Sequence, residues 1–368
     1  MAIAANITPE VSESFTVFSQ MTSMDHEQVV FCHDRASGLK SIIAVHNTVL
    51  GPALGGTRFW NYSNDREAVT DALRLSRGMT YKAAITGLHL GGGKAVIIGN
   101  SRTDKTEALF RRYGKFVQSL SGKYITAEDV GTSKDDMEWI SRETKYVTGL
   151  PEYLGGGGDP SPFTALGVYM GMKAAANKAY GNDSLKGKKV MVQGIGHVGE
   201  HLVAFLDKEG AEIMVTDIFE DRLAEISKRF KVTVIKTEDT YSTDMDIYAP
   251  CALGATVNNE NIELLKCAII AGAANNQLAD EEIHGQMLLE KGILYAPDFV
   301  INAGGLINVG MELEVYNRER VKTETEKIYQ RTLSIFKLSH EKKVPTHKAA
   351  NEMAEARIRS IAQLNAKR

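Results

Sequence analysis

Three charged residues stand in settings that could do chemistry: Lys82 in GMTYKAAITG, Lys94 in GLHLGGGKAVI and Asp129 in ITAEDVGTS. A free lysine has a pKa of about 10.4, too high for a base near neutral pH. Burial and a second ammonium nearby both disfavour the charged form and bring such a lysine into range. Lys82 precedes the small, apolar run AAITGLHL, Lys94 lies between three glycines and AVII, and Asp129 ends the strand-like KYITA beside Val130 and Gly131. Loops at strand ends are common addresses for active-site groups. Each residue alone also fits a plainer role, a solvated lysine on a glycine turn or an aspartate capping a helix. The GGGK run is not an ATP-type phosphate loop. That loop needs G-x-x-x-x-G-K followed by Ser or Thr, and here Leu88 stands for the first glycine and Ala95 follows the lysine.

A second constellation reads more directly. Gly194-Ile195-Gly196-His197-Val198-Gly199 follows the strand-like KKVMVQ and opens a helical stretch, and Asp217 closes the next apolar strand, EIMVTD. In a dinucleotide fingerprint the first glycine makes the tight turn, the second lets the pyrophosphate approach and the third lets helix and strand pack closely. The helix N-terminus then offers free N–H groups to the phosphates. Asp217 can accept from the ribose hydroxyls of NAD and would repel the 2′-phosphate of NADP; no arginine follows until Arg222. The spacing therefore predicts NAD.

These residues must be held by elements, and the pattern supplies them. Strands are expected at 28–34, 41–50 and 123–127, with helices from Asn64 toward Lys82, where Glu67 could close a capping box, and over 107–120. LPEYLGGGGDPSP, residues 150–162, holds four glycines and three prolines and reads as a linker. Beyond it a helix at 163–180 leads into strands at 188–193, 212–217, 232–235, 246–249, 268–271 and 293–295, alternating with helices. That alternation predicts a parallel, doubly wound sheet. The fold class is thus α/β with two domains and a cleft between them. Residues 1–149, with a C-terminal helix from about 340 to 368 packing back, form the first; residues 150–339 form the Rossmann-type NAD-binding domain.

Composition sets the class of protein. The chain has 368 residues, 43% hydrophobic and 24% charged, with a formal net charge of −3, which leaves no electrostatic footprint for nucleic acid or an acidic membrane. No apolar run approaches the roughly 20 residues of a membrane helix. The stretch MAIAANITPEVSESF lacks the layout of a signal peptide. Three scattered cysteines, Cys32, Cys251 and Cys267, suggest neither disulfides nor a metal site, and a reducing cytoplasm fits best.

In order along the chain stand GPALGGTRFWNY, LRLSRGMTYKAAITGLHLGGGKAVIIG, YITAEDVGTS, GVYMGMKAAA, VQGIGHVG, APCALGA, AGAANNQL and YAPDFVINAGGLINV. Through these segments nearly the whole chain resembles the glutamate/leucine/phenylalanine/valine group of amino-acid dehydrogenases, and above all its leucine-specific branch. The resemblance implies NAD-dependent oxidative deamination of a branched-chain L-amino acid to a 2-oxo acid and ammonia, reversibly. It implies that Lys82 binds the substrate α-carboxylate, that Lys94 is the general base activating water, and that Asp129 exchanges protons with the amine. Thr164 and Asn276 are expected near the cofactor, beside Gly194, Gly196, His197, Val198, Gly199 and Asp217.

For the side-chain pocket the resemblance implies Leu54, Gly55, Met79, Ala127, Leu306 and Val309. Glutamate-specific members hold the distal carboxylate with a lysine and a serine; this chain has Leu54 and Val309 there. An unpaired carboxylate buried between aliphatic groups costs several kcal/mol, so glutamate should be rejected. Leu306 stands where several leucine-type members have valine. One methylene discriminates by only about 1–3 kcal/mol, so leucine, isoleucine and valine should all be accepted. Gly199 replaces a common alanine, with either expected to permit close packing, and His197, read as an exposed first-turn residue, replaces a common asparagine. The resemblance also implies a homo-oligomer, in the octameric manner of the family. The alternatives are valine or phenylalanine specificity within the family, or a non-catalytic NAD-binding sensor, which would have no need of Lys82, Lys94 and Asp129 together. A 2-hydroxy-acid dehydrogenase would call for a histidine with an acidic partner, a context the nine histidines lack.

Overall fold

The computed structural model of the chain describes residues 16–252 and 254–366; the N-terminal stretch MAIAANITPEVSESF, expected above not to be a signal peptide, lies outside them. The first domain is a mixed sheet of β1 (Gln28–Asp34), β2 (Leu39–Asn47), β3 (Ala53–Trp60), β4 (Gly91–Ile98) and β5 (Tyr124–Glu128), in the order β1-β2-β4-β3-β5. β3, β4 and β5 run parallel, while β2 is antiparallel to both β1 and β4. Helices α1 (Val17–Met24) and α2 (Asp65–Ile85) cover one face; α3 (Glu107–Ser119) and α4 (Lys134–Ser141) cover the other. Side chains alternate across a strand. Hence Val96 of β4 packs with Val69, Ala72 and Leu73 of α2, whereas Ala95 and Ile97 pack with Phe110, Tyr113 and Val117 of α3.

Two expectations shift here. The strand expected at 41–50 is Leu39–Asn47, because the Asn47 side chain accepts from Val49 N at 3.0 Å and turns the chain. The Asn64 side chain caps α2 by accepting from Glu67 N at 2.9 Å, but the Glu67 carboxylate takes Ser63 N rather than Asn64 N, so the box is not closed. β3 was not expected at all. ALGGTRFW has no clean alternation, and it becomes a strand because β4 and β5 pair with it on both sides.

The second domain is wholly parallel, with β6 (Lys189–Gln193), β7 (Glu212–Thr216), β8 (Val232–Val234), β9 (Ile247–Pro250), β10 (Ile269–Ile270) and β11 (Leu294–Tyr295) in the order β11-β10-β9-β6-β7-β8. Strand order reverses between β6 and β9, and the crevice beyond their carboxyl ends is where such sheets take ligands. The domain's helices are α5 (Ser161–Tyr180), α6 (His197–Glu209), α7 (Glu220–Arg229), α8 (Asn259–Leu264) and α9 (Glu281–Lys291).

Five helices follow: α10 (Asp298–Ile301), α11 (Gly304–Met311), α12 (Arg318–Glu326), α13 (Ile328–Lys342) and α14 (Thr346–Ala366). The single tail helix drawn from about 340 is interrupted. Lys343 is left-handed at φ 54° and Pro345 cannot donate, so α13 ends and α14 begins. α14 lies against α2, where Arg357 donates to Ala84 O at 2.8 Å and Gly87 O at 3.0 Å and Glu355 accepts from Tyr81 OH at 3.0 Å. Among the described residues no helix is long and apolar enough to cross a membrane.

The stretch read as a linker is not slack. Residues 152–154 make one 3-10 turn, and the Glu312 carboxylate, just past α11, accepts from Gly149 N at 2.7 Å and Gly157 N at 2.8 Å. Both sides of the connection are thereby tied to one side chain.

Candidate active site

Gly91, Gly92, Gly93 and Lys94 all lie inside β4 and are buried. A Cβ on Gly92 would stand 2.1 Å from Thr80 N in α2, and one on Gly93 would stand 2.6 Å from the Tyr124 ring. Gly55 on β3 is equally closed, since its Cβ would lie 1.7 Å from Gly93 O. These glycines let a helix backbone, an aromatic ring and a neighbouring strand approach β4. They serve as a packing seam, not as the glycine turn that the run also fitted.

Lys94 shares the α2 face of β4 with Gly92 and Val96. Its side chain is 7% exposed, and Nζ meets Asp129 Oδ2 at 2.8 Å. It thus sits in an ion pair, where the sequence had pointed only to burial and a neighbouring ammonium. Asp129 follows β5, and its backbone N donates to Thr132 Oγ1 at 2.9 Å. Burial would raise the Asp129 carboxyl, but the charges of Lys94 and Arg58 outweigh it and hold it below the usual range. Arg58 Nε reaches the same Oδ2 at 3.2 Å.

Lys82 occupies the last turn of α2, where a cation suits the helix dipole. Burial lowers its pKa to about 8; the Lys94 charge acts in the same direction, and Asp298 and Asp129 oppose it. Its Nζ donates to Asn302 Oδ1 at 2.6 Å, a contact from one domain to the other. The Asn302 amide in turn donates to Asn275 Oδ1 at 2.7 Å and Ala273 O at 3.1 Å. Neither Asn302 nor Arg58 was singled out from sequence. The available signal was a polar residue inside an otherwise apolar run, FVINAGG for one and ALGGTRFW for the other.

Leu54 and Leu306 belong to one apolar cluster that continues across both domains, with Met79 and Val309 packed against it. Ala127 pairs with Gly56 across β5 and β3. The Leu90 side chain lies 3.2 Å from where a Gly310 Cβ would be, so α11 closes directly on the loop before β4.

The crevice of the second domain suits a dinucleotide. Gly194 turns at φ 100°, Gly196 is the N-cap of α6 with open space where a Cβ would point, and no side chain caps that helix. Free N–H groups therefore face the turn. The Asp217 carboxylate accepts from Ile195 N at 2.6 Å and Phe219 N at 3.0 Å, which fixes it beside the glycine turn with lone pairs to spare. Val198 packs on the core and His197 is exposed. Gly199 is not interchangeable with alanine on this backbone, because its Cβ would lie 2.0 Å from Gly194 O. Thr164 lies on α5 with Oγ1 2.7 Å from a Cβ built on Gly305, and Asn276 is exposed at φ 52°.

Residues 26–146 match the family described as Glu/Leu/Phe/Val dehydrogenase, dimerisation domain, and residues 155–218 and 215–366 match Glutamate/Leucine/Phenylalanine/Valine dehydrogenase. A leucine dehydrogenase of Thermoactinomyces intermedius is 55% identical over 342 residues, 93% of this chain and 93% of that one. A leucine dehydrogenase of Geobacillus stearothermophilus is 53% identical over 345 residues, 94% of each. The crystal structure of L-tryptophan dehydrogenase from Nostoc punctiforme matches with a TM-score of 0.84 at 47% identity, covering 94% of this chain and 99% of that chain. Similarity that runs through both domains leads to one assignment: the chain belongs to the glutamate/leucine/phenylalanine/valine dehydrogenase family and is an amino-acid oxidoreductase.

Proposed function

We propose that this chain catalyses the NAD-dependent oxidative deamination of branched-chain L-amino acids, leucine foremost with isoleucine and valine accepted, giving 2-oxo acids and ammonia. The observation that carries the reading is the buried Lys94–Asp129 pair at 2.8 Å, on the strand face that α2 and Lys82 cover. The Lys82 ammonium pairs with the substrate α-carboxylate, and Asn302, already in contact with Lys82, helps fix it. Asp129 takes a proton from the substrate ammonium. A nicotinamide dinucleotide held by the glycine turn at Gly194 and Gly196 and by Asp217 would supply the acceptor for the hydride that leaves Cα. Lys94, once its own proton has passed to solvent, removes a proton from the water that adds to the imine carbon. Asp129 then returns a proton to the nitrogen, and ammonia leaves as the carbinolamine hydroxyl gives its proton to solvent and the carbonyl forms. Leu54, Met79, Leu306 and Val309 offer an aliphatic wall with no partner for a distal carboxylate.

NAD is favoured over NADP because the Asp217 carboxylate would face a 2′-phosphate. Comparable catalytic efficiency with NADP would overturn that choice. The deciding experiment is a kcat/KM panel over leucine, isoleucine, valine, phenylalanine and glutamate; phenylalanine ahead of leucine would overturn the substrate class. Lys94→Ala should lose far more rate than binding, and Lys82→Ala should chiefly raise KM. We read the chain as a homo-oligomer, an octamer by analogy with the family, and light scattering measures its mass.

A further inference from the structure

We propose that Arg58 is the positioning residue of the proton-exchanging carboxylate: it holds Asp129 at Oδ2, and Asp71 and Tyr62 in turn hold Arg58. The inference rests on the role proposed for Asp129. Arg58 Nε donates to Asp129 Oδ2 at 3.2 Å, and its Nη1 donates to Asp71 Oδ2 at 2.8 Å. The Tyr62 hydroxyl donates to the same Asp71 oxygen at 2.7 Å. A guanidinium is a rigid planar fork, so fixing one edge on Asp71 fixes the direction of the other.

β3 grips the Asp129 loop at three consecutive residues. Thr57 O accepts from Thr132 Oγ1 at 2.9 Å, Arg58 takes the carboxylate, and Phe59 N donates to Val130 O at 2.9 Å. Gly131 turns at φ 82° between these contacts, and a Cβ there would stand 2.0 Å from Phe59 O. The loop therefore has one seat on β3. Lys94 and Arg58 both sit on Oδ2, so exchange with the substrate amine falls to Oδ1.

Arg58 also sets the charge of that carboxylate. Asp129 is faced by Lys94 from β4, Arg58 from β3, Lys82 from α2, and Glu128 and Tyr124 from β5. Asp71 acts on it through Arg58, and Tyr62 both through that network and by direct charge interaction. Two cations offset its burial, and without Arg58 only Lys94 remains in contact with it. The far end of the network is wet, since Arg58, Tyr62 and Asp71 line a cavity of about 730 Å³ that opens to solvent. Asp71 can therefore be altered without entering the cleft.

The test compares Arg58→Met, Arg58→Lys, Asp71→Asn and Asp129→Asn in the full-length enzyme, with kcat and KM for leucine followed across pH and NAD binding followed by fluorescence. Arg58→Met should lower kcat by about 10–100-fold, the range expected for a displaced proton-transfer group. It should move the acidic limb of the kcat profile to higher pH, with KM for leucine and NAD affinity changed less than about twofold. Arg58→Lys should bring the limb back toward the native position. Asp71→Asn should lower kcat with the limb unmoved or displaced to lower pH, because a negative charge has been removed. If Arg58→Met keeps the native kcat and limb, or if Arg58→Lys is as impaired as Arg58→Met at an unmoved limb, Arg58 is only structural and the inference fails. Should Arg58→Met not fold, Asp71→Asn decides, and native kcat in that variant overturns the proposal. Activity retained in Asp129→Asn would instead overturn the role of Asp129 itself.

Discussion

Gly92→Ala puts the reading of the GGGK strand to its sharpest test. The new methyl carbon would stand 2.1 Å from Thr80 N, 2.2 Å from Thr80 Oγ1 and 2.6 Å from Ser76 O. These are α2 backbone atoms and one short, bonded side chain, so no flexible group can swing aside. Real Cβ atoms essentially never approach closer than 3.0 Å, so α2 must retreat by about an ångström. Overpacking a core typically costs about 1–3 kcal/mol, and a backbone obstacle puts this change at the upper end. Lys82 lies two residues beyond Thr80 and moves with it, which strains its 2.6 Å contact with Asn302. We expect a loss of about 3 kcal/mol by urea denaturation and a raised KM for the amino acid. Gly78→Ala is the control on the same helix. Nothing lies within 4 Å of a Cβ there, so the variant should gain about 0.5–1 kcal/mol from helix propensity and an entropically poorer unfolded state. If Gly92→Ala is as stable as the native chain, the close approach of α2 to β4 is not what these glycines serve.

Lys82, with a pKa of about 8, loses its proton as pH rises through that value, so the free enzyme should bind the substrate carboxylate less well above it. A fall in kcat/KM for leucine without a matching fall in NAD affinity would show this. The stability effect has the opposite sign. Between about 8 and the ordinary lysine value of 10.5 the unfolded chain binds a proton that the folded chain lacks, so the contribution of Lys82 to stability rises with pH in that window. Urea midpoints of Lys82→Met should lose that rise. Glu312→Gln keeps one acceptor oxygen for two backbone donors, leaving Gly149 N or Gly157 N unpaired. About 1–3 kcal/mol of stability should go with it, and an unchanged urea midpoint would refute the clasp across the domain connection.

Much of this protein is decided locally and could be read as text. Gly194-Ile195-Gly196-His197-Val198-Gly199 after an apolar run, with Asp217 closing the next, marks a strand, a turn and a helix N-terminus because each step depends on neighbouring residues. The strands at 28–34 and 188–193 and the helix opening at Asn64 follow from short-range pattern and capping in the same way. Lys82, Lys94 and Asp129 were visible as candidates because charge stood beside small and apolar residues.

Tertiary structure alone decided the rest. A run of glycines permits a turn, an exposed approach or a tight packing seam with equal ease, and only the atoms across from Gly92 and Gly93 select the seam. β3 has no alternation of its own and exists because two strands pair with it. Arg58 and Asn302 look ordinary in sequence because their partners Asp71, Asp129 and Lys82 are brought to them by the fold. The pairing of Lys94 with Asp129 joins the middle of β4 to the residue just past β5, two parallel strands on either side of β3, a distance no local pattern measures. Residue types and short spacings determined which chemistry this chain could perform. Contacts between segments far apart in sequence determined where each charge sits and what balances it, since Coulomb and steric terms depend on separation in space.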